Sequence, residues 1–158
     1  MKTVWRLLID EPDTTLPWMA ANKRIAIGWG ETGDVPSLGS LEAIAEKIKI
    51  RNQHHPKHAG KPPANVQHGS HSLLDFCFGV KPGDLVIVSD RVRRRQVWEV
   101  TGGYEYVDQS AAPLNYRHQR KARIVERDPN ELWRRAGGKL RARINYRTFD
   151  RCINGIED

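Results

Sequence analysis

Cysteine is nearly absent: Cys77 and Cys152 are the only two in 158 residues. One pair cannot supply the framework of bridges on which small secreted domains depend, and no Cys-x-x-Cys spacing offers a redox or zinc motif. Both are expected as buried thiols in a reducing compartment. Long apolar runs are missing too. Nothing approaches the ~20 residues needed to span a bilayer, and the short run 4–9 meets Asp10 and Glu11 at once, without the features of a secretory leader. A soluble, cytoplasmic chain with no membrane partner is expected. The phosphate-cradling pattern Gly-x-x-x-x-Gly-Lys-Ser/Thr is lacking. So is a nuclease-type grouping of paired acids and a lysine: Glu99-Val100-Thr101 has no lysine, and Asp84 and Asp90 have no matching partner. These gaps point to a binder with no catalytic residues and no cofactor.

Positive charge is what the chain has in surplus, and it is unevenly placed. Residues 1–90 carry ten Lys/Arg and ten Asp/Glu, whereas 91–151 carry sixteen against seven. The whole excess falls in the later part, which reads as a face for a polyanion, nucleic acid above all. A membrane surface would need the arginines along one face of an amphipathic helix, and they are not so spaced. Arg91, Arg93, Arg94 and Arg95 crowd a predicted hairpin turn. Like charges so close repel, so stability does not explain them, whereas phosphate contact or insertion into a groove does. Arg117, His118, Arg120, Lys121 and Arg123 enter a predicted strand, whose alternation points some of them the other way. Lys139, Arg141, Arg143, Arg147 and Arg151 belong to a basic C-terminal extension from about 137.

A single domain over 1–158 suits the length. Strands are expected at 3–9, 24–29, 84–89, 96–101 and 120–126, and helices at 16–22, 41–51 and 70–78, with a helical turn at 130–136. Ser40 provides half a capping box. The glycine pair Gly102-Gly103 is expected to kink the chain before Tyr104. Ile144, Phe149 and Ile153 give only weak guidance at the end. Residues 52–69, with three prolines and four histidines but few apolar side chains, are expected as an inserted exposed loop, removable without loss of the fold. Its histidines suggest zinc, but Pro56 breaks the His54/His58 helical spacing and no Cys-x-x-Cys completes a site, so no metal is expected. Sequential late strands favour an α+β fold with a curled mixed sheet flanked by helices over a doubly wound parallel one.

IAIGWGETGD (25–34), VKPGDLVIV (80–88), VWEVTGGYEYV (97–107) and HQRKARIVER (118–127) resemble the pattern of EVE-like domains of the PUA-like superfamily. Such domains stand at the front of McrB-like and Mrr-like modification-dependent restriction enzymes and are related to EVE and YTH domains. The resemblance implies a PUA-like, curled β-barrel flanked by helices that reads a flipped base. It places Trp29 as one wall of the base pocket, with Tyr104 and Tyr106 as candidates for the second.

The residues support such a pocket by themselves. A pocket for an extruded base needs flat aromatic walls, because every base has a π face. Trp29 lies between two glycines at a strand end, Tyr104 and Tyr106 share a strand face by period two, and Trp18 lies in an irregular segment nearby. Stacking alone does not discriminate between bases; Asp34 and Ser72 offer the polar groups that could, although both also suit turns and caps. The expected partner is duplex DNA carrying a modified base (5-methylcytosine, 5-hydroxymethylcytosine or methyladenine), with a nuclease or NTPase subunit on a separate chain. RNA is the alternative partner, and a small hydrolase of the superfamily the second alternative.

Overall fold

The run DLVIVS forms β3 (Leu85–Ser89), and all five of its residues are buried. A strand so uniformly apolar needs cover on both faces, and its neighbours provide it. The computed structural model describes residues 1–54, 64–108, 112–138 and 147–157. The other strands are β1 (Val4–Leu8), β2 (Arg24–Ile27), β4 (Arg94–Tyr106), β5 (His118–Val125) and β6 (Phe149–Arg151), in one six-stranded sheet of order β2-β5-β4-β3-β1-β6. Strand β1 runs parallel to β3, and the other pairings are antiparallel. The helices are α1 (Pro12–Asn22), α2 (Val35–Leu38), α3 (Leu41–His54), α4 (Ala64–Leu74) and α5 (Pro129–Arg135).

Alternation along the strands divides the core in two. Val86 and Val88 face a larger cluster with Leu7, Ile25, Ile27, Trp98 and Val100, covered by Met19 of α1, Ile44 and Ile48 of α3 and Leu73 of α4. Leu85 and Ile87 face the other side with Val4 and Val97, under Leu132 and Trp133 of α5. Helix α5 starts where Asp128 accepts from the amides of Asn130 (2.9 Å) and Glu131 (3.4 Å), a side-chain cap. Ser40 likewise accepts from the Ala43 amide at 3.1 Å, capping α3.

Three expectations need correction. The sheet does not close: β2 and β6, of four and three residues, are its two edges, and no pairing joins them among the described residues. The fold is thus a mixed sheet flanked by helices, without a closed barrel. The segment 52–69 is also not all loop. Helix α3 continues through His54, and α4 begins at Ala64, burying Val66, Gly69 and Ser70; His55 and His58 lie outside the described residues. Lastly, the weakly patterned end supplies β6, whose Phe149 stacks on Trp5 with centroids 5.0 Å apart. Of the expected basic extension, Lys139, Arg141 and Arg143 lie outside the described residues.

Among the described residues no helix is long and apolar enough to cross a membrane, and no group of three or more His, Cys, Asp or Glu is placed to hold a metal.

Candidate functional site

Strand β2 ends at Ile27, and two residues later Trp29 adopts left-handed backbone (φ 63, ψ 34). This is a conformation that bulky residues seldom take. The glycines beside it let a neighbouring loop close in: Tyr116 lies 3.6 Å from where a Cβ on Gly28 would stand, and the Asn115 carbonyl oxygen 2.5 Å from one on Gly30. Any side chain at position 30 would collide with backbone, so glycine is required there. The chain then turns through a 3-10 segment (Gly30–Thr32) to Asp34, the exposed residue ahead of α2.

Across the sheet, β4 reaches the same place after a bulge. Its register against β5 shifts between Val100 and Tyr104, after which Tyr104 faces Arg120 and Tyr106 faces His118. The glycine pair makes this possible: Gly102 lets the Lys121 stem approach to 3.0 Å of its missing Cβ.

His118 is the hub and is wholly buried. Its Nε2 lies 2.9 Å from the Trp29 carbonyl and 3.1 Å from Thr32 Oγ1. A carbonyl only accepts, so Nε2 carries the hydrogen. Nδ1 therefore accepts, from the Tyr104 hydroxyl at 2.7 Å. The Val35 amide donates to the same hydroxyl oxygen at 3.4 Å, and the Cys77 thiol lies near enough to interact with it. The Tyr106 ring leans on His118 with centroids 5.3 Å apart, and its hydroxyl donates to the Gly30 carbonyl at 2.7 Å. Burial lowers the His118 pKa to about 4, opposed by the Trp29 carbonyl and the Asp34 and Glu31 charges. Burial likewise raises Cys77 to about 12 and Tyr104 above its ordinary range. The cluster is thus a neutral, fixed-tautomer network that ties the Trp29 turn to β4 and β5.

A groove of about 630 Å³ opens at the other end of β2. Its lining includes Trp98, Ala122 and Ile124 together with Lys23, Arg24, Lys121 and Arg123, with no acid among the lining residues; by strand alternation the side chains of Ala122 and Ile124 leave one face of the sheet and those of Lys121 and Arg123 the other. Arg24 and Arg123 are braced by Glu105 (2.8 Å) and Glu99 (2.7 Å), while Lys23 and Lys121 are exposed. A smaller cleft of about 420 Å³ includes Asp84. The Asp84 carboxylate accepts from the amides of Thr3 and Lys81 and from Trp5 Nε1, which accounts for the Lys-Pro-Gly-Asp turn in structural terms.

A family model described as a domain of unknown function (DUF8426) matches residues 5–141. The chain belongs to this DUF8426 family. The matched region holds both the His118 cluster and the groove and leaves β6 outside. No curated protein matches the chain.

Within this DUF8426 fold the expected pocket residues separate. Trp29, Asp34, Tyr104 and Tyr106 come together at His118, and the charge of Asp34 is felt at both His118 and Tyr104. The Trp29 indole is half-buried, and it lies across α4 so closely that a Cβ on Gly69 would be 3.0 Å from it. Ser72 is no pocket residue: fully buried, it donates to the His68 carbonyl (2.8 Å) and accepts from the Phe149 amide (3.2 Å), fastening α4 to β6. Trp18 stands in the middle of α1, half-buried against the larger core.

The expected backbone contacts divide as well. Arg120 is corrected to a structural clasp. It is 4% exposed, and its guanidinium donates to the carbonyls of Phe76 (3.2 Å), Cys77 (3.1 Å) and Gly102 (3.1 Å), so no phosphate reaches it. Arg94 lies over the Trp133 ring, 5.2 Å from its centroid, and donates to Asn130 at 2.7 Å. Arg95 pairs with Asp90 at 2.7 Å. Both therefore brace the hairpin, while Arg91 and Arg93 are exposed beside it; Arg91 reaches Asp10 at 3.3 Å. Asp90 also accepts from the Val92 and Arg93 amides, and these bonds hold its pKa down at about 2. Arg117 interacts with the Tyr106 hydroxyl and with Asp108 (3.6 Å). Lys121 and Arg123 are exposed as expected.

Sequence reasoning missed His118 as the hub, because a histidine inside RHQRKAR reads as one more basic residue. It also missed Lys23 and Arg24, which join the groove only because α1 turns directly into β2.

Proposed function

We propose that this protein is a non-catalytic nucleic-acid-binding module of PUA-like type that holds backbone phosphates in the cationic groove and reads one extruded, modified base at the Trp29 turn. The observation that carries the reading is the groove at the sheet edge: Lys23, Arg24, Lys121 and Arg123 gather around it beside apolar Trp98 and Ile124, with no acid in its lining, although Glu105 and Glu99 pair with Arg24 and Arg123, and such a rim suits a polyanion with flat apolar parts. Charge sorting elsewhere supports it, since Arg94, Arg95 and Arg120 are tied into the fold while Lys23, Arg93 and Lys121 are exposed, as are Arg91 and Arg123 beside their partners Asp10 and Glu99. The Trp29 turn adds a partly buried indole on a strained backbone, a kind of strain that gathers at functional sites, with the Asp34 carboxylate close by to accept from an exocyclic amine.

The test is a titration of matched duplexes that differ in one base (cytosine, 5-methylcytosine, 5-hydroxymethylcytosine, adenine, methyladenine), repeated over a range of salt. Contact with about four to six phosphates predicts a log-log slope of about −4 to −5, together with preference for one modified duplex. A flat salt dependence rules out nucleic acid as the partner; a steep slope without base preference rules out the base-reading half alone.

A further inference from the structure

The loop that closes on the Trp29 turn carries an oddity of its own. The Tyr116 amide donates to the Pro113 carbonyl at 3.1 Å, and the two residues between them, Leu114 (φ 56, ψ 29) and Asn115 (φ 60), are both left-handed. This is the geometry of a type I′ turn, whose first central position suits asparagine, aspartate or glycine. Asparagine occupies the second position. Leucine at the first is disfavoured by its backbone, and it belongs to neither core cluster, standing 42% exposed. Core packing gives no reason for it.

Its location suggests one. Asn115, the next residue, presses on Gly30, and Tyr116 lies on Gly28, so Leu114 stands on the loop that backs Trp29 from both sides. The basic hairpin adjoins the same rim: Arg91 bonds Asp10, whose amide donates to the Tyr116 hydroxyl at 3.2 Å. From this arrangement we infer that Leu114 is a wedge, an apolar side chain that enters the base stack of a duplex and fills the place left by the extruded base. The inference rests on the base-reading function proposed above. Taking a base out of a duplex breaks its stacking, and inserted leucines and other apolar residues are a known physical means of holding a step open. A leucine pushed outward by a left-handed backbone meets that requirement. The other prominent exposed apolar residue nearby, Val92 at the hairpin tip (89% exposed), sits in a turn whose amides are satisfied by Asp90, without left-handed backbone.

The experiment compares wild type, L114N, L114A and V92S on a duplex carrying the preferred modified base and on the single strand of the same sequence, with melting temperatures for each protein. A wedge matters only where there is a stack to open. L114N and L114A should therefore lose about tenfold or more in duplex affinity and keep single-strand affinity, V92S should keep both, and L114N should melt no lower than wild type because asparagine suits the turn. Unchanged duplex binding by L114N and L114A overturns the wedge and leaves base reading intact. Equal loss on duplex and single strand overturns it in favour of a pocket wall. Loss in L114N alone assigns the effect to turn geometry, and equal loss in V92S to general apolar surface; either overturns the wedge. Wild type that binds neither oligonucleotide removes the proposed function and the wedge together.

Discussion

His118 is neutral near physiological pH because burial disfavours the charged ring by more than the Trp29 carbonyl and the Asp34 and Glu31 charges favour it. The direction of the pH effect follows. With the folded pKa at about 4 and an ordinary unfolded value of about 6.5, the unfolded chain takes up a proton that the folded one refuses between those limits. Stability is therefore lost as pH falls from about 6.5 and the effect levels off below about 4, to a total of about 3 kcal/mol from this residue. Urea unfolding at several pH values in this window should show the slope in wild type and a flatter one in H118Q; identical slopes would mean that His118 is not held neutral. A neighbouring pair tests the sorting of cations. R120A leaves the buried Phe76 and Cys77 carbonyls and the part-buried Gly102 carbonyl without this donor and should cost about 3–5 kcal/mol, whereas K121A should leave the melting temperature unchanged and reduce the salt slope by about 1. Thermal melts and salt titrations of both variants check this. If R120A melted like wild type but bound weakly, Arg120 would belong to the interface after all.

At the level of elements, α4 explains both a success and a failure of sequence reasoning. Trp29, Tyr104 and Tyr106 are legible as a group because glycines flank the first and period two relates the others. Helix α4 is legible from Ser70 but not at its start, 64–69, where the chain is small or polar apart from Val66 and Gly69 receives the Trp29 indole. Such residues carry no hydrophobic periodicity, although their smallness is what permits the close approach. Arg120 shows a related gap. Alternation along β5 says that its side chain differs in direction from that of Lys121, but not which of the two is covered. Replacing 52–69 by a short Gly/Ser linker, harmless to a loop, should instead abolish cooperative unfolding, since it removes the seat of Trp29 and the buried Val66. A sharp melt near the wild-type temperature would show that α4 contributes little.

For the whole molecule, the sheet order has a consequence in time. Among the described residues strand β1 pairs with β3 and β6 alone, partners about 80 and about 140 residues further along the chain. Local contacts can assemble the β3–β4 hairpin early, but the strand VWRLL cannot acquire its hydrogen-bonded neighbours until most of the polypeptide exists. Loop closure of that length is slow to recover its entropy, so refolding belongs on a scale of about milliseconds to seconds, not microseconds. While the chain is being synthesised, β1 is an apolar strand with both edges open, the state in which edge-to-edge association competes with folding.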